Sequence, residues 1–324
     1  MGQLVDGVWQ DDISQHKGGQ FVRPATKFRN WVTPDGAPGP SGEGGFAAER
    51  GRYHLYVSLA CPWASRTIIF RKLKKLEDVI SMSILSWHMG KDGWTFDKSE
   101  GSSGDAINGK QRLSEIYVLA DPKFTGRVTV PVLWDKKRNT IVNNESSEVI
   151  RILNSAFNQF TDVKTDYYPV ALRAEIDRIN DIVYPNINNG VYRAGFAKTQ
   201  SAYEEAFRTL FDSLDQMEER LAKQRYLAGK DLTEADWRLF VTLVRFDAVY
   251  YGHFKCNWRH IWDYPNLSNY MRALYQMPGI AETVRLEHIK NHYYGSQPQV
   301  NPTGIVPLGP QIDFGAPHDR TRFG

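Results

Sequence analysis

Cysteine is scarce in this chain: Cys61 and Cys256 are the two thiols in 324 residues. Two thiols do not make a disulfide framework, so the sequence reads as that of a protein kept in a reducing, cytoplasmic compartment. Excess charge is missing as well. The 40 Lys and Arg residues stand against 37 Asp and Glu, a formal balance of +3, and no Lys/Arg run reaches the length of a basic tail. That argues against nucleic acid as a partner. Nowhere do about 18 apolar residues run together, so no membrane span is expected. The opening MGQLVDGVWQDD has no basic segment leading into an apolar one, so no signal peptide is expected.

Aromatic residues, by contrast, are plentiful. The chain holds 16 Phe, 16 Tyr and 9 Trp, and 41% of it is hydrophobic. That is enough apolar surface for a large core, which excludes general disorder. At roughly 150 residues per domain, the length suggests about two domains.

The pattern along the chain divides it further. Residues 1–50 are rich in Gly and Pro, with PDGAPGPSGEGG at 34–45, and read as a surface arm. Phe21, Phe28, Trp31 and Phe46 within it suggest partial docking. YHLYV (53–57) is strand-like, and Ile68, Ile69, Leu73 and Leu76 place an amphipathic helix over 62–77. VISMSIL (79–85) is a second strand, and 86–126 reads mainly as an insertion or long loop. VLW and TIV flank Asp135–Asn139 as a hairpin, and a helix with Val149, Ile150 and Leu153 follows. Strand, helix, strand, long connection, hairpin and helix is the βαβ–ββα order of a thioredoxin-like domain, assigned to 51–160.

The remainder reads as all-helical over 161–294. Tyr203, Phe207, Leu210, Phe211, Leu214, Met217 and Leu221 recur every three or four residues, after a SAYE capping box beginning at Ser201. TEAD (233–236) opens a mostly apolar, buried helix reaching about Tyr250, with Leu232 and Trp237 placed as a hydrophobic staple. PNLSNYMRALYQ (265–276) is another helix, entered through Pro265. The tail 295–324, with five prolines, reads as an irregular strap. The fold class is thus α/β plus all-α.

Cys61 carries the chemistry. It follows a strand and immediately precedes Pro62, which suits a first helical position. A thiol at a helix N-terminus meets unpaired N–H groups and the positive end of the helix dipole, which favour thiolate. Such a setting lowers a thiol pKa of about 8.5 to roughly 3.5–7.5. Cys256, in HFKCNW, lacks that context and reads as a small core residue. The motif Cys61-Pro62-Trp63-Ala64 has no second thiol one turn on, so any redox cycle must be closed by an external thiol, most simply glutathione.

Two neighbouring patterns fit such a co-substrate. Val130-Pro131 precedes the third strand, where a cis proline exposes the preceding backbone to an extended peptide; an ordinary edge proline is the alternative. Glu145 and Ser146 open a helix. A helix N-terminus with a hydroxyl suits a carboxylate, and Glu145 suits an ammonium, so the pair matches an α-amino acid head such as that of a γ-glutamyl group. A plain N-cap cluster is the other reading.

At this point the chain resembles a known family. RYHLYVSLACPWASRT (52–67), GWTFD (93–97), GRVTVPVLWDKK (126–137), NNESSEVIR (143–151), NNGVYRAGFA (188–197), LTEADWRL (232–239), TLVRFDAVY (242–250) and NHYY (291–294) resemble the glutathionyl-hydroquinone reductases, the Xi class of glutathione transferases. The likeness spans essentially the whole chain; one variation is Ser65, where relatives often carry His. The resemblance implies a thioredoxin-like domain, an α-helical domain and a homodimer. It implies Cys61 as nucleophile, with Trp94, Arg127, Val130, Glu145 and Ser146 holding glutathione and no metal. Trp94 also reads as core packing, and Arg127 as a solvated charge. It further implies Tyr192 and Tyr293 against the aromatic substrate, a glutathionyl-hydroquinone, with Tyr250, His253 and His292 as lesser neighbours. Two rival readings stay open: a broader omega-like or glutaredoxin-like thiol transferase or dehydroascorbate reductase, and a non-catalytic binding module.

Overall fold

A computed structural model of the chain describes residues 2–11 and 16–323. They fall into two compact units. One holds residues 2–11 and 24–165, the other residues 16–23 and 166–323.

The first unit begins with a hairpin of β1 (Gln3–Val5) and β2 (Val8–Gln10). Its turn is Asp6-Gly7, with both residues at positive φ (48° and 78°), the geometry that favours a Gly here. A Cβ on Gly7 would also lie 2.1 Å from the Pro122 carbonyl oxygen. The second hairpin, β3 (His16–Lys17) and β4 (Gln20–Phe21), belongs to the other unit.

The central sheet of the first unit uses β5 (Tyr53–Val57), then α1 (Pro62–Leu73), then β6 (Ser81–Ile84). A short hairpin follows, β7 (Met89–Gly90) with β8 (Gly93–Trp94), and then helix α2 (Leu113–Ala120). The unit closes with β9 (Val132–Asp135), β10 (Thr140–Asn143) and α3 (Ser146–Ser155). The strand order is β10-β9-β5-β6; β5 runs parallel to β6, and the other pairs are antiparallel. Every residue of β5 and β9 is buried, as expected of strands covered on both faces. This is the thioredoxin-like order read from the sequence.

Two details differ. The first helix stops at Leu73 rather than near 77 because Lys75 turns to a left-handed φ of 49°. The stretch 86–126 contains α2, whose Leu113, Ile116 and Tyr117 are fully buried; Gly and Ser around it obscure its single apolar face.

The second unit is helical beyond its β3–β4 hairpin: α4 (Arg173–Ile182), α5 (Gly190–Gly195), α6 (Gln200–Leu221), α7 (Glu234–Arg245), α8 (Pro265–Tyr275) and α9 (Leu286–Ser296). Helix α6 is capped two residues before the expected box at Ser201. Thr199 caps it, its Oγ1 accepting from Ala202 N at 3.3 Å. The TEAD box forms as read, with Asp236 Oδ2 accepting from Thr233 N at 2.8 Å. Asp236 Oδ1 also accepts from Leu227 N and from the Tyr270 hydroxyl. All twelve residues of α7 are buried, and a π-helical turn, Phe246–Tyr250, extends it. The tail docks through Arg320, which is buried and donates to the carbonyls of Leu221 and Arg225, both at 2.8 Å.

Candidate active site

The strand-to-helix turn that the sequence marks at Cys61 is formed. Cys61 is the extended N-cap of α1 (φ −77°, ψ 122°) with Pro62 as the first helical residue. Its carbonyl accepts from Ser65 N at 3.0 Å and Ser65 Oγ at 3.1 Å, so the serine at this position braces the first turn. The residue is 9% exposed, and its Sγ lies 3.8 Å from the carbonyl oxygen of Val130. The Val130–Pro131 peptide is cis. Cys61 and Val130 therefore meet, and the peptide is the cis form the sequence weighed against an edge proline.

The chain on either side of Val130 is held by the N-terminal segment and by α2. Gly126 pairs with Leu4 through two backbone hydrogen bonds of 3.0 and 2.9 Å, so the β1–β2 hairpin fixes the stretch that carries Arg127. Arg127 is half-buried. Tyr117 ties two parts of the site together. Its hydroxyl donates to the Thr129 carbonyl at 2.8 Å and accepts from Asn144 Nδ2 at 3.0 Å, which places the neighbours of Val130 and of Glu145 on one buried group. Burial pushes this phenol's pKa up, so it remains a neutral donor.

Glu145 is the N-cap of α3, with Oε1 accepting from Ser147 N at 3.1 Å and Ser147 Oγ at 3.0 Å. Its Oε2 accepts from Thr26 Oγ1 at 3.3 Å. The Glu145 carbonyl takes the N–H groups of Glu148 and Val149. Ser146 is the first residue of the helix and is buried. The sequence reading passed over Arg66, which links α1 to this helix: its Nη1 donates to Ser146 Oγ at 3.2 Å, and its guanidinium lies 4.6 Å from the Trp63 ring centre. An arginine on a helix otherwise facing the core was the available signal. Trp94 ends β8 opposite Met89 and is 7% exposed.

In the second unit the hydroxyls of Tyr192 on α5 and Tyr293 on α9 share a hydrogen bond. Tyr293 is also 3.0 Å from the Tyr250 hydroxyl. The three phenols form one buried chain with Tyr293 in the middle; the resemblance named Tyr192 and Tyr293 as its main members and Tyr250 as a lesser neighbour. Burial holds Tyr250 and Tyr293 well above the ordinary phenol pKa, so both are proton carriers at neutral pH rather than phenolates. Arg23 covers the Tyr192 ring at 5.0 Å and donates from Nε to Asn189 Oδ1 at 2.9 Å. His253 pairs with Gln297 Oε1 at 2.8 Å, and His292 packs against the Tyr293 ring.

Among the described residues, no group of three or more His, Cys, Asp or Glu side chains is arranged to hold a metal. No described helix is long and apolar enough to cross a membrane.

Comparison with known proteins gives the same picture. The model of the glutathione S-transferase N-terminal domain matches residues 60–156, and that of the C-terminal domain matches 200–273. The glutathionyl-hydroquinone reductase YqjG of Escherichia coli is 56% identical, with all of both chains covered. The chain belongs to the Xi-class glutathione transferases. The glutathionyl-hydroquinone reductase PcpF of Sphingobium chlorophenolicum is 55% identical over 96% of each chain. The glutathione-bound structure of YqjG superposes with a TM-score of 0.93 at 54% identity, covering 99% of each chain. The Xi-class transferase of Natrialba magadii gives 0.92 at 50% identity, over 100% of this chain and 97% of that one.

Proposed function

We propose that this Xi-class chain reduces glutathionyl-hydroquinones to hydroquinones, with Cys61 as nucleophile and glutathione as co-substrate. The observation that carries the reading is Cys61 at the start of α1 beside the carbonyl of Val130, itself joined to a cis proline. Full-length identity of 56% to a glutathionyl-hydroquinone reductase supports the substrate class.

Cys61 attacks the sulfur of the substrate. The sulfur–carbon bond breaks, a proton goes to the ring carbon, and the hydroquinone leaves. The new sulfur–sulfur bond joins Cys61 to glutathione. A second glutathione thiolate opens that bond, giving glutathione disulfide and free Cys61. The aryl carbon gains two electrons, one from the substrate's thioether sulfur and one from the thiol of the second glutathione, both of which end in glutathione disulfide, so electrons balance. Ser146 and the first turn of α3 bind the γ-glutamyl carboxylate, Glu145 its ammonium, Arg127 the glycyl carboxylate and Val130 the peptide backbone. Trp94 covers the tripeptide. Tyr192 and Tyr293 donate to the hydroquinone oxygens. The protein acts as a cytoplasmic homodimer.

Comparing turnover of glutathionyl-menadiol with that of a simple glutathione mixed disulfide tests this reading. The reading expects strong preference for the aryl thioether. Equal or greater turnover of the mixed disulfide would favour a general thiol transferase.

A further inference from the structure

Arg66 lies five residues beyond Cys61 on α1 and is fully buried. Its Nη1 donates to Ser146 Oγ across the α1–α3 interface at 3.2 Å. A guanidinium has donors and no acceptor, whereas a serine hydroxyl can play either part. Toward Arg66, then, Ser146 must accept. Its one proton is turned elsewhere, and the hydroxyl serves as a donor to whatever meets the helix start. The guanidinium is held in place by its stack on Trp63, and its planar fork limits how far Ser146 can rotate away.

The first turn of α3 is already partly closed. Glu145 takes the Ser147 N–H with its side chain and those of Glu148 and Val149 with its carbonyl. Ser146 is the residue of that turn whose donors are least committed. A buried positive charge behind its oxygen polarises the O–H bond and strengthens it as a donor to an anion.

We propose that Arg66 is a positioning residue that sets Ser146 as a hydrogen-bond donor to the α-carboxylate of the γ-glutamyl group. This rests on the reading that glutathione lies at Ser146. Arg66 acts through Ser146, so its effect belongs to carboxylate recognition and not to thiol chemistry.

The test is titration calorimetry with two probes: glutathione, and an analogue lacking only the α-carboxylate of its γ-glutamyl residue. Wild type is expected to bind glutathione at least tenfold more tightly than the analogue. Arg66→Met is expected to weaken glutathione about tenfold, one charge-assisted hydrogen bond, and to leave the analogue unchanged. Ser146→Ala should give the same pattern, and adding Arg66→Met to it should weaken glutathione by less than twofold more. Should circular dichroism show Arg66→Met unfolded, Arg66→Lys takes its place; it keeps the charge but not the fork and should show a smaller loss, about threefold, again for glutathione alone. Equal weakening of both probes, or full additivity with Ser146→Ala, would overturn the role of Arg66 and make it a packing residue. Equal binding of the two probes by wild type would instead remove the carboxylate from Ser146, and the placement of glutathione would fall with it.

Discussion

Cys61 follows the end of β5 by four residues and caps the start of a helix, while Cys256 sits in a loop with its amide bonded to the Tyr250 carbonyl at 3.0 Å and its Sγ 3.8 Å from the Phe254 carbonyl. Both thiols touch a backbone carbonyl. Cys256 is wholly buried, and loss of hydration pushes its pKa up. Cys61 keeps 9% exposure and stands at the N-cap of a twelve-residue helix with a proline in its first turn. The contrast teaches what burial alone does: it holds a sulfur in its protonated form. Reactivity needs the oriented amides of a helix start and a path for a second sulfur to approach in line.

The contrast can be broken in several ways, the largest first. Cys61→Ala is expected to lower turnover of glutathionyl-menadiol about a thousandfold or more, since no other group can form the covalent link; Cys256→Ala should stay within twofold. Steady-state assays of the two variants decide this, and activity surviving in Cys61→Ala would refute the mechanism. Next, iodoacetamide at pH 6 to 7 should modify Cys61 about a hundredfold faster than Cys256, read by peptide mapping over time. Comparable rates would mean that the helix start confers nothing.

A smaller effect concerns the phenols. Tyr192→Phe should cut kcat about tenfold while leaving glutathione affinity unchanged, because it removes a hydrogen bond to the aromatic part only. A change confined to glutathione affinity would reassign that residue. The smallest effect is on stability and sharpens the reading of Cys256. Its folded pKa is raised, so the folded state keeps a proton that the unfolded chain gives up above its ordinary value near 9. Stability from this group is therefore fully present below pH 9 and is lost as pH rises further, at about 1.4 kcal/mol per unit. Chemical denaturation at pH 8 and pH 10 should show that loss in wild type and a shallower one in Cys256→Ala.

Much of this was legible in the chain. Cys61-Pro62 after YHLYV announces its own geometry because a proline is tolerated at the first helical position and an apolar strand ends just before it. Val130-Pro131 and Glu145-Ser146 each marked the start of an element, while an edge proline and a plain N-cap cluster stayed open as readings of them. What escaped was the wiring between elements. Arg66 reads as one more cation on a helix until α3 is packed against α1. Tyr250 entered only as a lesser neighbour through the resemblance, because it lies in a helix buried on every side, where periodicity cannot distinguish a functional phenol from a core ring. The β1–β2 hairpin carried its signal in Asp6-Gly7. Its purpose, bracing Gly126 beside Arg127, depends on a pairing across 122 residues that no local pattern records.

The central claim is that one sulfur, Cys61, becomes covalently joined to glutathione during each cycle. Mass spectrometry of the intact protein and its peptides, after brief mixing with a glutathionyl-hydroquinone in the absence of free glutathione, tests it most directly. The account predicts one glutathione adduct per chain, located on the peptide containing Cys61, together with one equivalent of released hydroquinone. Hydroquinone release with no adduct, or an adduct on Cys256 instead, would contradict it.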